Sequence, residues 1–332
     1  MGEGKAVAIV VGSGHAAVEA GLALSRLGLE TIIVAMNPGN VSGMPCNPSI
    51  GGPGKAQVVS EIDSLGGEMA LATDEATISM RILNASKGPA VQSLRSQVDK
   101  GLYAEHMRKA LGVAGVRIVE GVARDILVRD DRVRGVRLEE DRELTGDVLV
   151  LATGVYLESR VIIGEKIAES GPLGERASYG LSGSLKRLGL KMGRFKTGTS
   201  PRIRRDSIHW SELLVEKGTD RPYAFSFMSK PKIWDNDVCY STYTGEATHE
   251  VIRRNVHRSP LFNGTIEGRG PRYCPSIEDK VIRFPHRARH QIYLEVESGD
   301  SDDVYLLGLS TSLPEEVQVE MVRSLSGMSD AV

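Results

Sequence analysis

Residues 6–17, AVAIVVGSGHAA, decide the architecture. The first six are a continuous apolar run, the composition a strand needs when both of its faces are covered. Gly12-Ser13-Gly14-His15-Ala16-Ala17 follows without a gap, and Ala16, Ala20, Leu24 and Leu27 then keep one apolar helical face until Gly28 ends it. Thr31 to Ala35, TIIVA, reads as the next strand. The result is a βαβ unit in which Gly12 permits the tight turn, Gly14 lets backbone approach a pyrophosphate, and Ala17 is small enough for helix and strand to pack closely. A phosphate would rest on the helix N-terminus, where free N–H groups and the dipole favour an anion. One expected part is missing. The acidic residue that usually ends the second strand and binds ribose is replaced by Met36 and Asn37, of which Asn37 could still hydrogen-bond a hydroxyl.

Working outward, Ala123 to Val128, Val133 to Leu138 and Asp147 to Ala152 read as three short strands separated by turn residues, the last ending in Ala152-Thr153-Gly154. Between this meander and the first strands lies Pro45-Cys46-Asn47-Pro48-Ser49-Ile50-Gly51-Gly52-Pro53-Gly54-Lys55, and then a helix-like run from Ala56 to Leu65. So much proline and glycine presets a fixed, irregular backbone, which is how a loop holds side chains against a cofactor, although a surface loop with an incidental cysteine has the same composition. Arg81 to Ala90 reads as a second irregular loop leading into a helix from Val91 to Leu111, on which Arg95, Gln97 and Asp99 are ordinary solvated positions. A third unusual segment, GPRYCPSIEDKVIRF at 270–284, sets Cys274 after a proline-containing turn among basic and acidic residues.

Composition narrows the function classes. The 332 residues are 41% hydrophobic and 25% charged, those of a globular chain large enough for two domains. A formal charge of −2 provides no global field for nucleic acid or membrane, so a polyanion must be held locally. Arg194, Lys196, Arg202, Arg204 and Arg205, and then Arg253, Arg254, Arg258, Arg269, Arg272, Arg283, Arg287 and Arg289 with His257, His286 and His290, are dense enough for a phosphate-binding face; a solvated charge run is the plainer reading. Three widely spaced cysteines, Cys46, Cys239 and Cys274, argue against a disulfide scaffold and against structural zinc, and no metal site is expected. No apolar stretch is long enough to span a bilayer and no signal-peptide pattern opens the chain, so a cytoplasmic location is expected.

The blocks VVGSGHAAVEA, MPCNPSIGGPGK, EIDSLGGEMA, RILNASKGPAVQSLRSQVD, GRFKTGTSPRI and EGRGPRYCPSIEDKVIRF, with STSLPEEVQ behind them, succeed one another over nearly the entire chain. In this the sequence resembles the MnmG (GidA) family, flavoproteins that modify the wobble uridine of certain transfer RNAs. The resemblance implies an α/β fold: a Rossmann-like FAD-binding domain of glutathione-reductase type over 1–154, an inserted α/β domain for NADH and tRNA over 155–310, and the start of a return to the first domain at 311–332. Family members continue well past residue 332, so an N-terminal portion is expected. FAD is implied at Gly12, Ser13, Gly14, His15, Ala16 and Ala17, with further contacts at Ala123 and Ser178. NADH is implied around Gly270, Arg272, Tyr273, Lys280 and Phe284, and tRNA on Arg202, Arg204, Arg253, Arg254 and Arg283. Methylenetetrahydrofolate would donate the carbon and glycine or ammonium the nitrogen, with the GTPase MnmE as partner and a homodimer as the usual assembly.

Cys46 and Cys274 align with the family's two functional cysteines. Uridine carbon 5 is a poor nucleophile, and a thiolate adding at carbon 6 pushes electron density into the ring. Cys274 is the residue expected to add there, Cys46 to lie by the flavin, and Asp279 or Glu278 to take the carbon 5 proton. Two other readings stay open: a folate-dependent tRNA uridine methyltransferase of the TrmFO kind, and a non-catalytic module that binds flavin or RNA.

Overall fold

The computed structural model describes residues 5–234, 239–268, 270 and 275–332. Strand β1 (Val7–Val11), helix α1 (His15–Arg26) and strand β2 (Glu30–Ala35) form the expected βαβ unit. There follow β3 (Ser49–Gly51), α2 (Lys55–Ser64), α3 (Met69–Ala76), β4 (Thr77–Leu83), β5 (Ser93–Val98), α4 (Lys100–Val113), β6 (Arg117–Glu120), β7 (Ala123–Arg129), β8 (Arg132–Leu138), β9 (Glu143–Thr145) and β10 (Val148–Leu151). A parallel sheet runs in the order β10-β1-β2-β6. Alternate residues of its strands enter opposite cores, as the pleat requires. Val10 and Ile33 join Val18 and Leu22 of α1, Met107 and Leu111 of α4 and Met80 of β4 on one face. Ile9, Val11 and Val34 meet Ala123, Val136 and Leu138 of the meander β7-β8-β9 on the other. The expected third meander strand, 147–152, is β10, which leaves the meander to pair with β1 and brings Ala152-Thr153-Gly154 to the end of the parallel sheet; the meander is closed instead by β9.

The expected helix from Val91 to Leu111 is a strand and a helix. β5 pairs antiparallel with β3 and β4, and α4 starts at Lys100 because Asp99 caps it, its carboxylate accepting from Leu102 N at 3.0 Å. Arg81 correspondingly lies in β4, not in an irregular loop.

Beyond a short hairpin of β11 (Val161–Ile163) and β12 (Lys166–Ala168), helix α5 (Leu181–Arg187) packs Leu181 and Leu185 into the meander core. The rest builds a second core. β13 (Arg202–Arg204), β14 (Leu214–Val215), β15 (Tyr240–Tyr243), β16 (Gln291–Val296) and β17 (Asp303–Leu307) form a sheet in the order β13-β17-β16-β15-β14 whose pairs are all antiparallel. Helices α6 (Glu246–Asn255), α7 (Ile277–Arg283) and α8 (Glu315–Arg323) supply Ile252, Ile277 and Met321 to its apolar interior. Residues 311–332 contribute Leu313, Val317, Leu325 and Met328 to this second core and α8 packs on α6, so this segment belongs physically with the second unit rather than the first. Among the described residues, no helix is long and apolar enough to cross a membrane.

Candidate functional site

The carboxyl ends of β1, β2 and β10 lie side by side, where open parallel sheets form their binding crevice. Gly12 turns there with φ +117°, and a Cβ on it would stand 2.1 Å from the Ala152 carbonyl oxygen, so only glycine lets the two strand ends approach. Its N–H is donated to Val34 O at 2.9 Å. Helix α1 then begins at Gly14 with no side-chain cap, and the space a Gly14 Cβ would enter is empty to 4 Å. Ser13 O accepts from Ser42 N at 2.8 Å, which draws the chain after β2 alongside the turn. The Ser42 hydroxyl is buried and finds no partner among the described residues. His15 stacks edge-on against Tyr103, with Nδ1 3.2 Å from the phenol oxygen; burial pushes the His15 pKa down and that of Tyr103 up. Ala16 is exposed and Ala17 buried against the sheet. Ala123 is buried at the start of β7, where Gly121 N donating to Ala35 O at 2.9 Å ties this strand to the end of β2, and Ser178 is buried in a bridge with Leu157. An uncapped helix start, open space at Gly14 and an orphaned hydroxyl fit a phosphate-bearing group.

Cys46 is half-buried on the loop that continues from Ser42. Its Sγ lies 3.7 Å from Gly198 O and 3.5 Å from Asn47 Nδ2. The loop is clamped from the second unit: Arg202 Nη2 donates to the carbonyls of Pro45 and Cys46 at 3.2 and 3.1 Å, while its Nε meets Glu297 at 2.9 Å. Glu297 also takes Lys100 Nζ at 2.6 Å. Desolvation lowers the Lys100 pKa, opposed by Glu297 and by the Cys46 sulfur. Burial, with the sulfur as a lesser cause, pushes Tyr305 up to about 12. Arg202, expected on the tRNA face, is therefore turned inward as part of this clamp; its side chain is only 18% exposed.

Cys274, Arg272, Tyr273 and Arg269 lie outside the described residues. The described residues on either side contact Lys196 and Ser310. A Cβ on Gly270 would stand 2.7 Å from Lys196 Cε, and Ile277 N donates to Ser310 O at 2.7 Å, beside Gly198. The segment 194–200 thus touches both the Cys46 loop and the described residue Gly270. Ser276 caps α7 by accepting from Asp279 N at 3.2 Å. The Asp279 carboxylate faces Arg283 at 3.3 Å, and Lys280 Nζ donates to Gly308 O at 2.7 Å. Glu278 points away from the surface, accepting from Ser259 Oγ, Thr311 Oγ1 and Ser312 N at 3.3, 2.9 and 3.1 Å.

The basic tract separates into two kinds. Arg204 pairs with Asp206, Arg253 with Glu246 and Glu250, Arg254 with Glu320, and Arg258 with Glu165 and Glu316. His286, Arg287 and Arg289, by contrast, line a cavity of about 630 Å³ with Tyr243, Lys280 and Phe284, and none of its lining residues is acidic. The Arg289 guanidinium lies 4.3 Å over the Tyr243 ring.

Sequence reasoning missed Lys100, Glu297 and Glu295. Buried Glu295 accepts Ser49 Oγ at 2.9 Å and faces Arg95 and Arg81 at 3.4 and 3.6 Å, while Gln97 Nε2 donates to Val296 O at 2.9 Å. Arg95 and Gln97, expected to be solvated, thus join the two units. Alternation of Leu94, Ser96 and Val98 with Arg95 and Gln97, ended by the cap Asp99, was the available signal for a strand.

A family model described as glucose inhibited division protein A matches residues 7–332. The tRNA uridine 5-carboxymethylaminomethyl modification enzyme MnmG of Caldicellulosiruptor saccharolyticus is 48% identical over 323 residues, 97% of this chain and 52% of its own length. The enzyme of the same name from Desulfitobacterium hafniense is 46% identical over 330 residues, with the same coverage. The structure of Aquifex aeolicus GidA in its form I crystal superposes with a TM-score of 0.91 at 44% identity, over 99% of this chain and 56% of that one. Its form II crystal gives 0.88 at 42% identity, over 99% and 54%. The chain thus spans about half the length of the curated relatives it matches. A βαβ crevice, a cysteine loop clamped between two units, a family model covering almost every residue and a shared fold lead to one conclusion: this chain belongs to the GidA (MnmG) family.

Proposed function

We propose that the chain is the nucleotide-binding half of a flavin-dependent enzyme that modifies the wobble uridine of tRNA, acting with the remaining half of the protein and with the GTPase MnmE, as a homodimer. The observation that carries this reading is the crevice with the Cys46 thiol on a loop continuous with its rim. Gly12, Ser13, Gly14, His15, Ala16 and Ala17 are the residues that would hold the FAD pyrophosphate and adenosine, with Ala123 and Ser178 behind them. Bound FAD would supply hydride and one-carbon transfer, fed by NADH near Gly270, Arg272, Tyr273, Lys280 and Phe284 and by methylenetetrahydrofolate.

The chain's own groups have separate tasks. The Cys274 thiolate adds to carbon 6 of the uracil, forming a carbon–sulfur bond and shifting the ring's electron pair so that carbon 5 becomes the nucleophile. Asp279 accepts the carbon 5 proton, and the sulfur then leaves as the double bond is restored. Cys46 would serve as a proton donor beside the flavin, on a loop whose Pro45 and Cys46 carbonyls Arg202 holds. Arg204, Arg253, Arg254 and Arg283 would exchange their carboxylate partners for tRNA phosphates.

An absorbance titration tests the reading. The purified chain should turn yellow with FAD and bleach with NADH, and Cys46→Ser should keep the flavin while abolishing modification in the full-length protein. A colourless chain that still retards tRNA would leave only an RNA-binding module.

A further inference from the structure

The position at which this type of fold keeps an acid for ribose is filled by Met36 and Asn37. Asn37 is not free for that task, because its Oδ1 accepts from Gly39 N at 3.0 Å and caps the turn 38–40. Its Nδ2 points to a carboxylate that arrives from far along the chain: Glu175 Oε1 lies 3.4 Å from Asn37 Nδ2 and 2.8 Å from Asn40 Nδ2. The Tyr156 phenol is a neighbour of the same carboxylate, which after burial helps to raise its pKa. Tyr156 is itself fixed two residues past the end of the Ala152-Thr153-Gly154 turn, its N–H donated to Thr153 O at 3.3 Å. Glu175 is presented by a tight backbone turn, with Gly171 N donating to Glu175 O at 2.7 Å and Glu175 N to Pro172 O at 3.1 Å.

These contacts put an acceptor beside the end of β2, bordered by the strand ends that Gly12 brings together. An ionised carboxylate offers about four lone-pair positions, so the amides of Asn37 and Asn40, both on Oε1, leave room for another donor. The only donors on an adenosine ribose are its hydroxyls, and an acid in that place is what dinucleotide folds use to hold them. We propose that Glu175 is the ribose-binding acid of this crevice, supplied from a loop more than a hundred residues after β2 and aimed by Asn37 and Asn40. This assignment rests on the flavin-nucleotide reading above.

The test is equilibrium binding to the chain, read by flavin fluorescence for FAD and FMN and by calorimetry for ADP and dideoxyadenosine diphosphate. Glu175→Gln should weaken FAD and ADP by about 10- to 100-fold, the range for a hydrogen bond to a charged group. FMN, which lacks the adenosine ribose, should bind as before. The unsubstituted protein should prefer ADP to the dideoxy analogue and the Glu175→Gln protein should not. A variant that loses affinity for both diphosphates equally would show that Glu175 only braces the loop, and undiminished FAD binding would remove it from the site; either overturns the assignment. If the unsubstituted chain binds neither FAD nor ADP, the flavin reading itself falls.

Discussion

Single atoms set the shape of the crevice, and Gly12 is the clearest case. An alanine there would have to keep a left-handed backbone and place its methyl against a carbonyl oxygen 2.1 Å away. Gly12→Ala is expected to cost about 1–3 kcal/mol of stability, the scale of strain at such positions, and to abolish binding of the adenosine portion of FAD; a shift in the denaturant midpoint together with a flat FAD titration would check it. The glycine was legible in the sequence because a strand, a turn and a helix surround it. The thiol's surroundings were not: Lys100, Arg202 and Glu297 reach Cys46 from three separate stretches, and no local pattern reports a meeting of residues so far apart. For the same reason Arg202 reads in sequence as part of a basic patch and acts in the fold as an internal clamp.

Among the elements, the junction of β5 with β16 joins the units through charge. Glu295 is almost wholly buried and neutralises both Arg81 and Arg95. Glu295→Ala would leave two guanidinium groups without their counter-ion in a low-dielectric contact, a loss of about 3–5 kcal/mol by analogy with other broken buried pairs. The urea midpoint should fall accordingly, whereas Arg254→Ala, which removes an exposed pair with Glu320, should leave it nearly unchanged. The βαβ unit was readable because its periodicity is local. The β5 strand was misread as helix because its polar side chains spend themselves on distant partners, so that Arg95 and Gln97 mimic a solvated helical face.

Across the whole molecule, near-neutral charge conceals an uneven distribution. The five arginines expected to meet tRNA are each opposed by a carboxylate, whereas Arg287 and Arg289 line a cavity with no acidic residue in its described lining. Neutralising a phosphate releases condensed counter-ions, so each cation in contact adds to the salt dependence of binding. Replacing Arg287 and Arg289 together by glutamine should therefore weaken tRNA binding and reduce the slope of log affinity against log salt by about 2. Arg254→Gln, which removes one proposed phosphate contact, should lower the slope by about 1. An unchanged slope in the double variant would move the RNA contact elsewhere. This division between paired and unpaired charge could not be read from the sequence, where both groups form one basic tract.

The clamp on the Pro45 and Cys46 carbonyls has a mechanical outcome. The loop grows out of one interior and the guanidinium that grips it stands on the sheet of the other, so any sliding between the two is felt at the sulfur before either interior is disturbed. The thiol is thereby a strain gauge for the seam, and its rate of alkylation would register how firmly the two halves of the molecule are seated.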